Sequence, residues 1–310
     1  MNYCKIHSMY DSIIIGGGPA GLSAAIYLGR FNRNILVIEN GFGRSNYHQL
    51  NENYLGFPEG IYALQLKELG KKQAERFGAH FVHGMVEELK KDKQLFSVRT
   101  DKTIYTAKTL IIATGVTDKF PLFDNYEDCV GVSLFWCITC DGHKTQGKKV
   151  IVVGKDNQAA VTCMQFLNYT KNLIFLSNYD ETQVCIEEKY LKRLTDASIP
   201  ILYGCIQNVE VENGFINKIF LDNGEVLTTD FLFSMQGAVP NSYVSKQIGV
   251  EKNEEGYIKV DLEQRTNVPL VYAAGDVTNH FSHQVVTAVH QGSMAAQAAN
   301  YDLYLPEQKE

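Results

Sequence analysis

Short apolar runs that end in glycine alternate with helical patterns along this 310-residue chain. The run Ser12–Ile15 leads into a glycine cluster and a small-residue stretch, Leu22–Arg30, and a second apolar run follows at Asn34–Ile38. Strand, glycine turn and helix in this order are typical of a βαβ unit in a parallel sheet. The runs Thr109–Ile112 and Val271–Ala274 also end in small residues. We expect their turns at the same sheet edge, where open α/β sheets bind ligands.

The turn after the first strand carries the dinucleotide-binding fingerprint Gly-x-Gly-x-x-Gly. Gly16 makes the tight turn, Gly18 lets a pyrophosphate approach the backbone, and Gly21 lets helix and strand pack closely. The N-terminus of the following helix attracts phosphate through its N–H groups and partial positive charge. Glu39 ends the second strand, where an acidic residue can accept hydrogen bonds from ribose hydroxyls. This context indicates a dinucleotide site rather than a simple glycine-rich turn.

A second strand–turn–helix pattern lies in the middle of the chain. The strand Lys149–Val153 leads to Gly154 and an amphipathic stretch, and the strand Asn172–Leu176 follows. The repeat indicates a second nucleotide-binding domain, and Pro121 and Pro240 mark the two crossings between domains. The sequence therefore predicts an α/β fold with two Rossmann-like (three-layer) nucleotide-binding domains, the second inserted in the first. The predicted first domain comprises residues 1–117 and 241–310, and the predicted inserted domain comprises residues 118–240.

Cys137 and Cys140 form a Cys-x-x-Cys pair between the two nucleotide-binding patterns. Two thiols at this spacing can close a small disulfide, and neighbouring groups can activate one of them as a thiolate. Beside a dinucleotide site, the pair indicates electron transfer between a cofactor and sulfur. The alternative is half of a zinc site with His143 as a third ligand, but the other cysteines lack ligand spacing. Those cysteines are Cys4, Cys129, Cys163, Cys185 and Cys205.

Composition and charge narrow the class of protein. An apolar fraction of 45% and a charged fraction of 21% are ordinary for a globular chain. The net charge of −6 argues against a nucleic-acid partner, which would require a basic face. No apolar run approaches a membrane span of ~18–20 residues, and the first seven residues lack the apolar core of a signal peptide. We therefore expect a cytoplasmic protein whose cysteines are mostly reduced, with no membrane partner.

Together these residues resemble the low-molecular-weight thioredoxin reductase family across nearly the whole chain. A Cys-x-x-Cys-Asp-Gly motif before the second nucleotide-binding domain is that family's arrangement. The matching segments are Gly16–Gly21, Glu52–Gly56, Ala113–Gly115, Cys137–Gly142, Gly275–Val277 and Gln284. The resemblance implies FAD held in extended form by the first domain, usually in a homodimer. It also implies that the inserted domain rotates, so that the cysteines meet flavin and protein substrate in turn.

The resemblance implies a role for each matching residue. Cys140 would lie nearest the flavin, and Cys137 would be the thiol that exchanges with substrate. Asp141 would donate and accept protons, with helix or turn capping as the alternative. Asp276 would form a hydrogen bond with the ribityl chain. Arg44 is a further candidate, because it lies on the loop after Glu39 and could reach the FAD pyrophosphate as a charge-assisted donor. The residues that would contact FAD are Gly16, Gly18, Pro19, Ala20, Gly21, Glu39, Arg44, Asn53, Ala113, Thr114, Gly115, Gly275, Asp276, Gln284 and Val285.

Two histidines lie in or beside the last helical pattern. We predict a helix over His283–Asn300, which would place His283 and His290 two turns apart on one face. His283 is a candidate proton relay near a flavin because histidine changes charge near neutral pH. An ordinary polar helix face is the alternative.

The chain departs from the family pattern at the site for the electron donor. NADPH-dependent members have a second Gly-x-Gly-x-x-Ala turn and a basic cluster after the next strand. Here Asp156 stands at the central glycine, and Ser177-Asn178-Tyr179 stands in place of the basic cluster. We therefore expect that NADPH is not the physiological donor, and that ferredoxin, another non-pyridine partner or a second FAD in the inserted domain replaces it. His143 and Lys144 replace apolar aromatics beside the cysteines, which changes the surface offered to a thioredoxin.

The leading interpretation is an FAD-dependent disulfide/dithiol oxidoreductase whose partner is a thioredoxin-like protein or a small dithiol or disulfide. The direction of electron flow is open, because an oxidase would need only a dithiol and an acceptor. One alternative is an ordinary NADPH-dependent thioredoxin-disulfide reductase. Others are a ferredoxin–NADP reductase-like flavoprotein without thiol chemistry, and a redox sensor that is not an enzyme.

Overall fold

The chain folds into two α/β units, the second of which interrupts the first. The computed structural model describes residues 9–93, 95–101, 103–177, 185–278 and 281–309. The first unit comprises Met1–Asn46, Ala63–Thr117 and Val239–Glu310, and the second comprises Tyr47–Tyr62 and Asp118–Ala238. Both units contain a parallel sheet of the Rossmann type, so the predicted fold class is confirmed.

The strands and helices are numbered along the chain. The strands are β1 Tyr10–Ile15, β2 Ile35–Glu39, β3 Leu50–Asn51, β4 Ile61–Tyr62, β5 His80–His83, β6 Val86–Asp92, β7 Leu95–Thr100, β8 Ile104–Ile112, β9 Val116–Asp118, β10 Leu134–Phe135, β11 Val150–Val153, β12 Leu173–Ser177, β13 Ile201–Tyr203, β14 Ile206–Glu212, β15 Phe215–Leu221, β16 Val226–Thr228, β17 Phe231–Ser234, β18 Ala238–Pro240 and β19 Val271–Ala273. The helices are α1 Pro19–Arg30, α2 Ala63–Arg76, α3 Tyr126–Cys129, α4 Ile138–Asp141, α5 Asn157–Gln165, α6 Glu188–Asp196 and α7 Val285–Leu303. Among these described helices, none has both the length and the apolar character needed to cross a membrane.

The first unit is built on a seven-stranded sheet with the order β5-β2-β1-β8-β7-β6, in which β19 also pairs with β8. Strands β1, β2, β5, β8 and β19 run parallel, and β7 runs antiparallel to β8. Ile13 and Ile15 belong to the core on one face, while Ile14 belongs to the core on the other. Burial on both faces explains why the second half of β1, Ile13 to Ile15, is a continuous apolar run rather than an alternating one.

The second unit contains a five-stranded parallel sheet, β10-β17-β11-β12-β13, and a three-stranded antiparallel sheet, β14-β15-β16. Strand β11 is again buried on both faces: Val150 and Val152 pack in one core, and Ile151 and Val153 in the other. Helix α5 covers the first of these cores with Ala159, Ala160 and Cys163. The second unit therefore has apolar cores of its own.

The segment Tyr47–Tyr62 is grouped with the second unit, although the sequence-based boundaries assigned it to the first domain. Its first residue, Tyr47, packs edge-on against Trp136 at a ring separation of 5.4 Å and against Phe120 at 6.3 Å. Both contacts join aromatic residues that are far apart in sequence. Such contacts leave no periodic signal in the chain.

Two helices begin at residues other than those predicted. Helix α1 starts at Pro19 rather than Leu22, which agrees with the preference of proline for the first helical position. Helix α7 starts at Val285, after Gln284 in an extended conformation. His283 therefore precedes the helix, and the prediction that it shares a helix face with His290 is wrong.

Candidate functional site

The glycine turn after β1 forms a cradle that side chains would fill. Gly16 has φ +111°, and a Cβ there would collide with the carbonyl oxygen of Ala113. A Cβ on Gly21 would collide with the carbonyl oxygen of Gly16. At Gly18, which precedes α1, the nearest atom to an added Cβ is Ser45 Oγ at 3.4 Å, so a ligand can approach the backbone. No side chain in the described part of the chain caps α1.

The turns after β8 and β19 are held by side chains from neighbouring segments. The Thr114 hydroxyl donates to the carbonyl oxygen of Asn241 at 2.7 Å, and the backbone N–H of Asn241 donates to the carbonyl oxygen of Gly115 at 2.9 Å. The N–H of Gly275 donates to Gln291 Oε1 at 2.8 Å. The turns that sequence analysis singled out therefore have fixed backbones beside the glycine cradle.

Two ion pairs involve residues predicted to contact the cofactor. Arg44 Nη1 lies 2.8 Å from Asp276 Oδ2, so the structure brings these two predicted residues together. Glu39 Oε2 lies 2.8 Å from the ammonium of Lys67, which is 8% exposed and also donates to Asn46 Oδ1. Sequence reasoning missed Lys67. The spacing could have indicated this residue, because Lys67 lies four positions after the buried Ala63 and therefore on the same, buried face of α2.

The remaining predicted cofactor residues fall into two groups. Pro19 and Ala20 form the start of α1, and Gln284 and Val285 form the start of α7, all in the first unit. Asn53 is exposed and belongs to the second unit. The structure therefore places every predicted FAD-contacting residue except Asn53 in one unit.

Cys137 and Cys140 are joined by a disulfide. Cys137 is the N-cap of α4, where its sulfur accepts a hydrogen bond from the Cys140 backbone N–H at 3.1 Å. A cysteine pair on one helical turn needs little backbone rearrangement to open and close. Because the two sulfurs are bonded to each other, the zinc interpretation has no support in this structure, and the described residues contain no cluster of three metal-ligating side chains.

The carboxylate of Asp141, the residue after Cys140, is buried and hydrogen-bonded on both oxygens. Its side chain is 1% exposed; Oδ1 accepts from the Lys144 ammonium at 2.8 Å, and Oδ2 accepts from Gln49 Nε2 at 3.3 Å. The capping alternative fails, because Asp141 makes no side-chain cap to the short helix that follows it. Burial raises the pKa of Asp141 above its usual value, and the contacts with Lys144 work in the opposite direction.

Lys144 contacts a second carboxylate. Its ammonium lies 3.1 Å from Glu52 Oε2, and the same oxygen lies 3.3 Å from His143 Nε2. Burial lowers the pKa of Lys144, but the hydrogen bonds and charges of Asp141 and Glu52 outweigh it and raise that pKa overall. Lys144 therefore supplies positive charge beside Asp141. Sequence reasoning did not connect Gln49 and Glu52 with the cysteine pair.

The N-terminus of α5 is occupied by the protein's own groups. Asp156 is its N-cap, and Asp156 Oδ1 accepts a hydrogen bond from the Ala159 N–H at 2.9 Å. The turn is also covered by a returning segment: the Cys185 N–H donates to the carbonyl oxygen of Lys155 at 2.8 Å, and the Glu187 N–H donates to Asn157 Oδ1 at 2.8 Å. Ser177 ends β12, while Asn178 and Tyr179 lie outside the described residues.

Comparison with known proteins identifies the family. The sequence model of the pyridine nucleotide-disulphide oxidoreductase family matches residues 10–292 of this chain. Thioredoxin reductase of Bacillus subtilis is 30% identical over 97% of this chain and 96% of its own length. The structure of thioredoxin reductase from Streptococcus pyogenes superposes with a TM-score of 0.88 at 26% identity, over 95% of this chain and 98% of that one. The atypical thioredoxin reductase TRi from Desulfovibrio vulgaris Hildenborough is 32% identical, with a TM-score of 0.52 over 94% of this chain and 96% of its own.

The chain belongs to the pyridine nucleotide-disulphide oxidoreductase family. It is an FAD-dependent disulfide oxidoreductase that resembles thioredoxin reductase, and Cys137 and Cys140 supply its disulfide. The glycine cradle fits the dinucleotide part of FAD, since side chains are absent where a pyrophosphate must approach the start of α1. In this oxidoreductase the two strand–glycine–helix patterns therefore differ: α1 has an open N-terminus, and α5 has a capped one.

Proposed function

We propose that this oxidoreductase passes electrons between FAD bound in the first unit and the Cys137–Cys140 pair, without NADPH as its physiological donor. One observation carries the second half of the proposal: the Asp156 carboxylate caps α5, the helix whose N-terminus would bind the phosphates of NADPH. The names of the relatives indicate a thioredoxin-like protein as the dithiol or disulfide partner, and a homodimer remains our expectation for the assembly.

FAD, when bound, supplies a carrier that accepts or releases two electrons. The start of α1 would hold its pyrophosphate, and Glu39, held by Lys67, would accept hydrogen bonds from its ribose. Arg44 and Asp276 form an ion pair that polar groups of the cofactor could share. The start of α7, with Gln284 and Val285, would face the flavin ring and favour negative charge there.

The geometry at α5 disfavours any pyrophosphate. The Asp156 carboxylate takes the Ala159 N–H, one of the donors that a phosphate would require. Its charge would also repel a phosphate by about 4 kcal/mol at ~4 Å and an effective dielectric of ~20, or about three decades in affinity. The same argument applies to a second FAD in this unit. We therefore propose one FAD per chain and a non-pyridine electron partner, such as a ferredoxin.

Asp141 is the group that we propose moves protons for the disulfide. Opening a disulfide leaves thiolates that take up protons, and a carboxyl group beside the sulfur can provide or remove them. Asp141 follows Cys140 directly and is shielded from solvent. His283 lies in the first unit beside the Tyr257 ring, and its proposed role as a proton relay rests on its sequence position alone.

The donor is tested by mixing the purified holoprotein with NADPH under anaerobic conditions and following the flavin absorbance. We expect no rapid bleaching at micromolar NADPH, and we expect bleaching by a low-molecular-weight dithiol. The Cys137→Ser variant should retain its FAD and lose the reaction with dithiol. Rapid bleaching by NADPH would return the chain to the ordinary thioredoxin reductases, and unchanged electron transfer in Cys137→Ser would exclude dithiol chemistry. Denaturing the protein and counting released nucleotides should give one FAD per chain.

A further inference from the structure

A chain of ionisable side chains leads from Asp141 toward the protein surface. It consists of the Asp141 carboxylate, the Lys144 ammonium, the Glu52 carboxylate and the His143 imidazole, with successive separations of 2.8, 3.1 and 3.3 Å. The side-chain exposure rises along it from 1% at Asp141 to 23%, 36% and 53%. The ammonium also lies 5.3 Å from the centre of the buried Phe135 ring. Lys144 is therefore the one member of this chain that contacts both carboxylates.

The surroundings of Asp141 leave Lys144 as its main source of positive charge. The groups that face Asp141 in the described residues are Lys144 and His143 from the following short helix and the neutral amide of Gln49. Glu52 acts through Lys144, and the paired cysteines carry no charge while the disulfide is closed. A carboxylate this deeply buried is disfavoured in its charged form unless a cation pairs with it.

We propose that Lys144 is a positioning residue of the disulfide centre, which holds the Asp141 carboxylate ionised and in place, and that Glu52 competes with Asp141 for the same ammonium. This inference rests on the proposed function, in which Asp141 moves protons for the disulfide. An ionised Asp141 can accept a proton from a cysteine thiol, forming an O–H bond as the S–H bond breaks. The reverse transfer protonates a thiolate released from the disulfide. Lys144 itself neither contacts a reacting atom nor gives up its proton.

The proposal predicts that Lys144→Met and Glu52→Gln shift the midpoint of Asp141 protonation in opposite directions. Lys144→Met removes the cation and keeps most of the stem, so the midpoint of Asp141 protonation should rise by about one to three pH units. Glu52→Gln removes a competing negative charge, so the midpoint of Asp141 should fall. If Lys144→Met acted only through lost packing, Glu52 would serve only as an anchor for Lys144. Glu52→Gln would then shift the midpoint of Asp141 protonation in the same direction as Lys144→Met.

The experiment is a titration of the oxidised holoprotein by carboxyl 13C NMR with labelled aspartate, with the Asp141→Asn variant to assign the resonance. A rise in Lys144→Met, a fall in Glu52→Gln and near wild-type behaviour in Lys144→Arg support the proposal. An unchanged midpoint in Lys144→Met, a rise in Glu52→Gln, or a Lys144→Arg variant that behaves like Lys144→Met would overturn it. Glu52 is partly exposed, so its variant keeps the test open if Lys144→Met does not fold.

A second readout follows the chemistry without any physiological partner. The rate at which a small dithiol reduces the Cys137–Cys140 disulfide, followed by thiol counting, should show an inflection at the Asp141 midpoint. That inflection should move with the NMR midpoint in each variant, and an inflection that stays in place would contradict a role for Asp141 in the proton transfer. The NMR titration uses neither NADPH nor substrate. A failure of the proposed donor or substrate therefore leaves its outcome intact, and the two hypotheses fail separately.

Discussion

Different residues stand at the N-termini of two similar helices, and only one of these residues caps its helix with a side chain. Gly18 precedes α1 and leaves room for a ligand, whereas Asp156 precedes α5 and fills the corresponding position with its own carboxylate. Both helices follow buried parallel strands, and both turns contain glycine. The two N-termini therefore differ in one side chain on an otherwise similar frame, and the aspartate at position 156 is visible in the sequence.

The Asp156 cap should be measurable as stability of the second unit. Asp156→Ala should lower the free energy of unfolding of this unit by about 1 kcal/mol, because the Ala159 N–H loses its acceptor. Asp156→Asn keeps an acceptor at the same place and serves as the control. Urea unfolding followed by Trp136, the only tryptophan in the chain, measures the effect. Equal stability of the alanine and asparagine variants would show that the cap does not stabilise the helix.

The cysteines outside the disulfide should divide by reactivity. Burial raises the pKa of Cys129 to about 11 and that of Cys163 to about 12, whereas Cys185 and Cys205 are exposed. A thiol reacts as its thiolate, so at pH near 8 the two buried cysteines should be at least about a hundredfold slower toward iodoacetamide. Peptide-resolved mass spectrometry of the native protein measures this. Labelling of Cys163 at the rate of Cys185 would contradict its burial.

At the scale of elements, the first unit depends on a close approach of two helices. A Cβ on Gly292 in α7 would collide with the backbone carbonyl of Ala20 in α1. Small residues on both helices are therefore the condition for this contact: Ala20, Ala24 and Ala25 on α1 lie in one core with Ala295 and Ala296 on α7.

Gly292→Ala tests this contact because two effects oppose each other. Alanine is the better helix former by about 1 kcal/mol, but the backbone of Ala20 cannot move aside as a flexible side chain would. Overpacking typically costs about 1–3 kcal/mol, so we expect a net loss of stability in the first unit. Gln297→Ala, on the exposed side of α7, is the matched control and should stay within about 0.5 kcal/mol. The temperature of FAD release reports the change, and a more stable Gly292→Ala variant would refute the tight crossing.

The type of an element was predictable here where its burial leaves a clear mark on the sequence. Strands β1, β8, β11 and β19 are apolar on both faces and stand out from the chain. Helix starts were less predictable: Gln284, which adopts an extended conformation before α7, carries no strong capping signal. Polar contacts across the fold left no pattern in the sequence, so Gln49 could not be inferred as a donor to Asp141. Lys144 lies only three residues after Asp141, at a spacing that allows a local ion pair.

At the scale of the whole molecule, each unit has cores of its own, and the segment Tyr47–Tyr62 is grouped with the second. The segment supplies Tyr47 to the aromatic cluster, Gln49 to Asp141 and Glu52 to Lys144. The sequence pattern located the inserted domain by its strands. It missed this segment, whose side-chain contacts join residues far apart in sequence and leave no periodic signal.

Tyr47 should therefore stabilise the second unit and not the first. Tyr47→Ala removes two edge-on aromatic contacts, with Trp136 and Phe120, each worth about 0.5–1.5 kcal/mol beyond the buried area. We expect the urea midpoint read by Trp136 fluorescence to fall, while the temperature of FAD release, which reports the first unit, stays unchanged. Tyr47→Phe keeps both ring contacts and should lose less. Because a two-unit chain need not unfold in one step, the two probes must be analysed separately. A lower temperature of FAD release with an unchanged Trp136 transition would instead assign Tyr47 to the first unit.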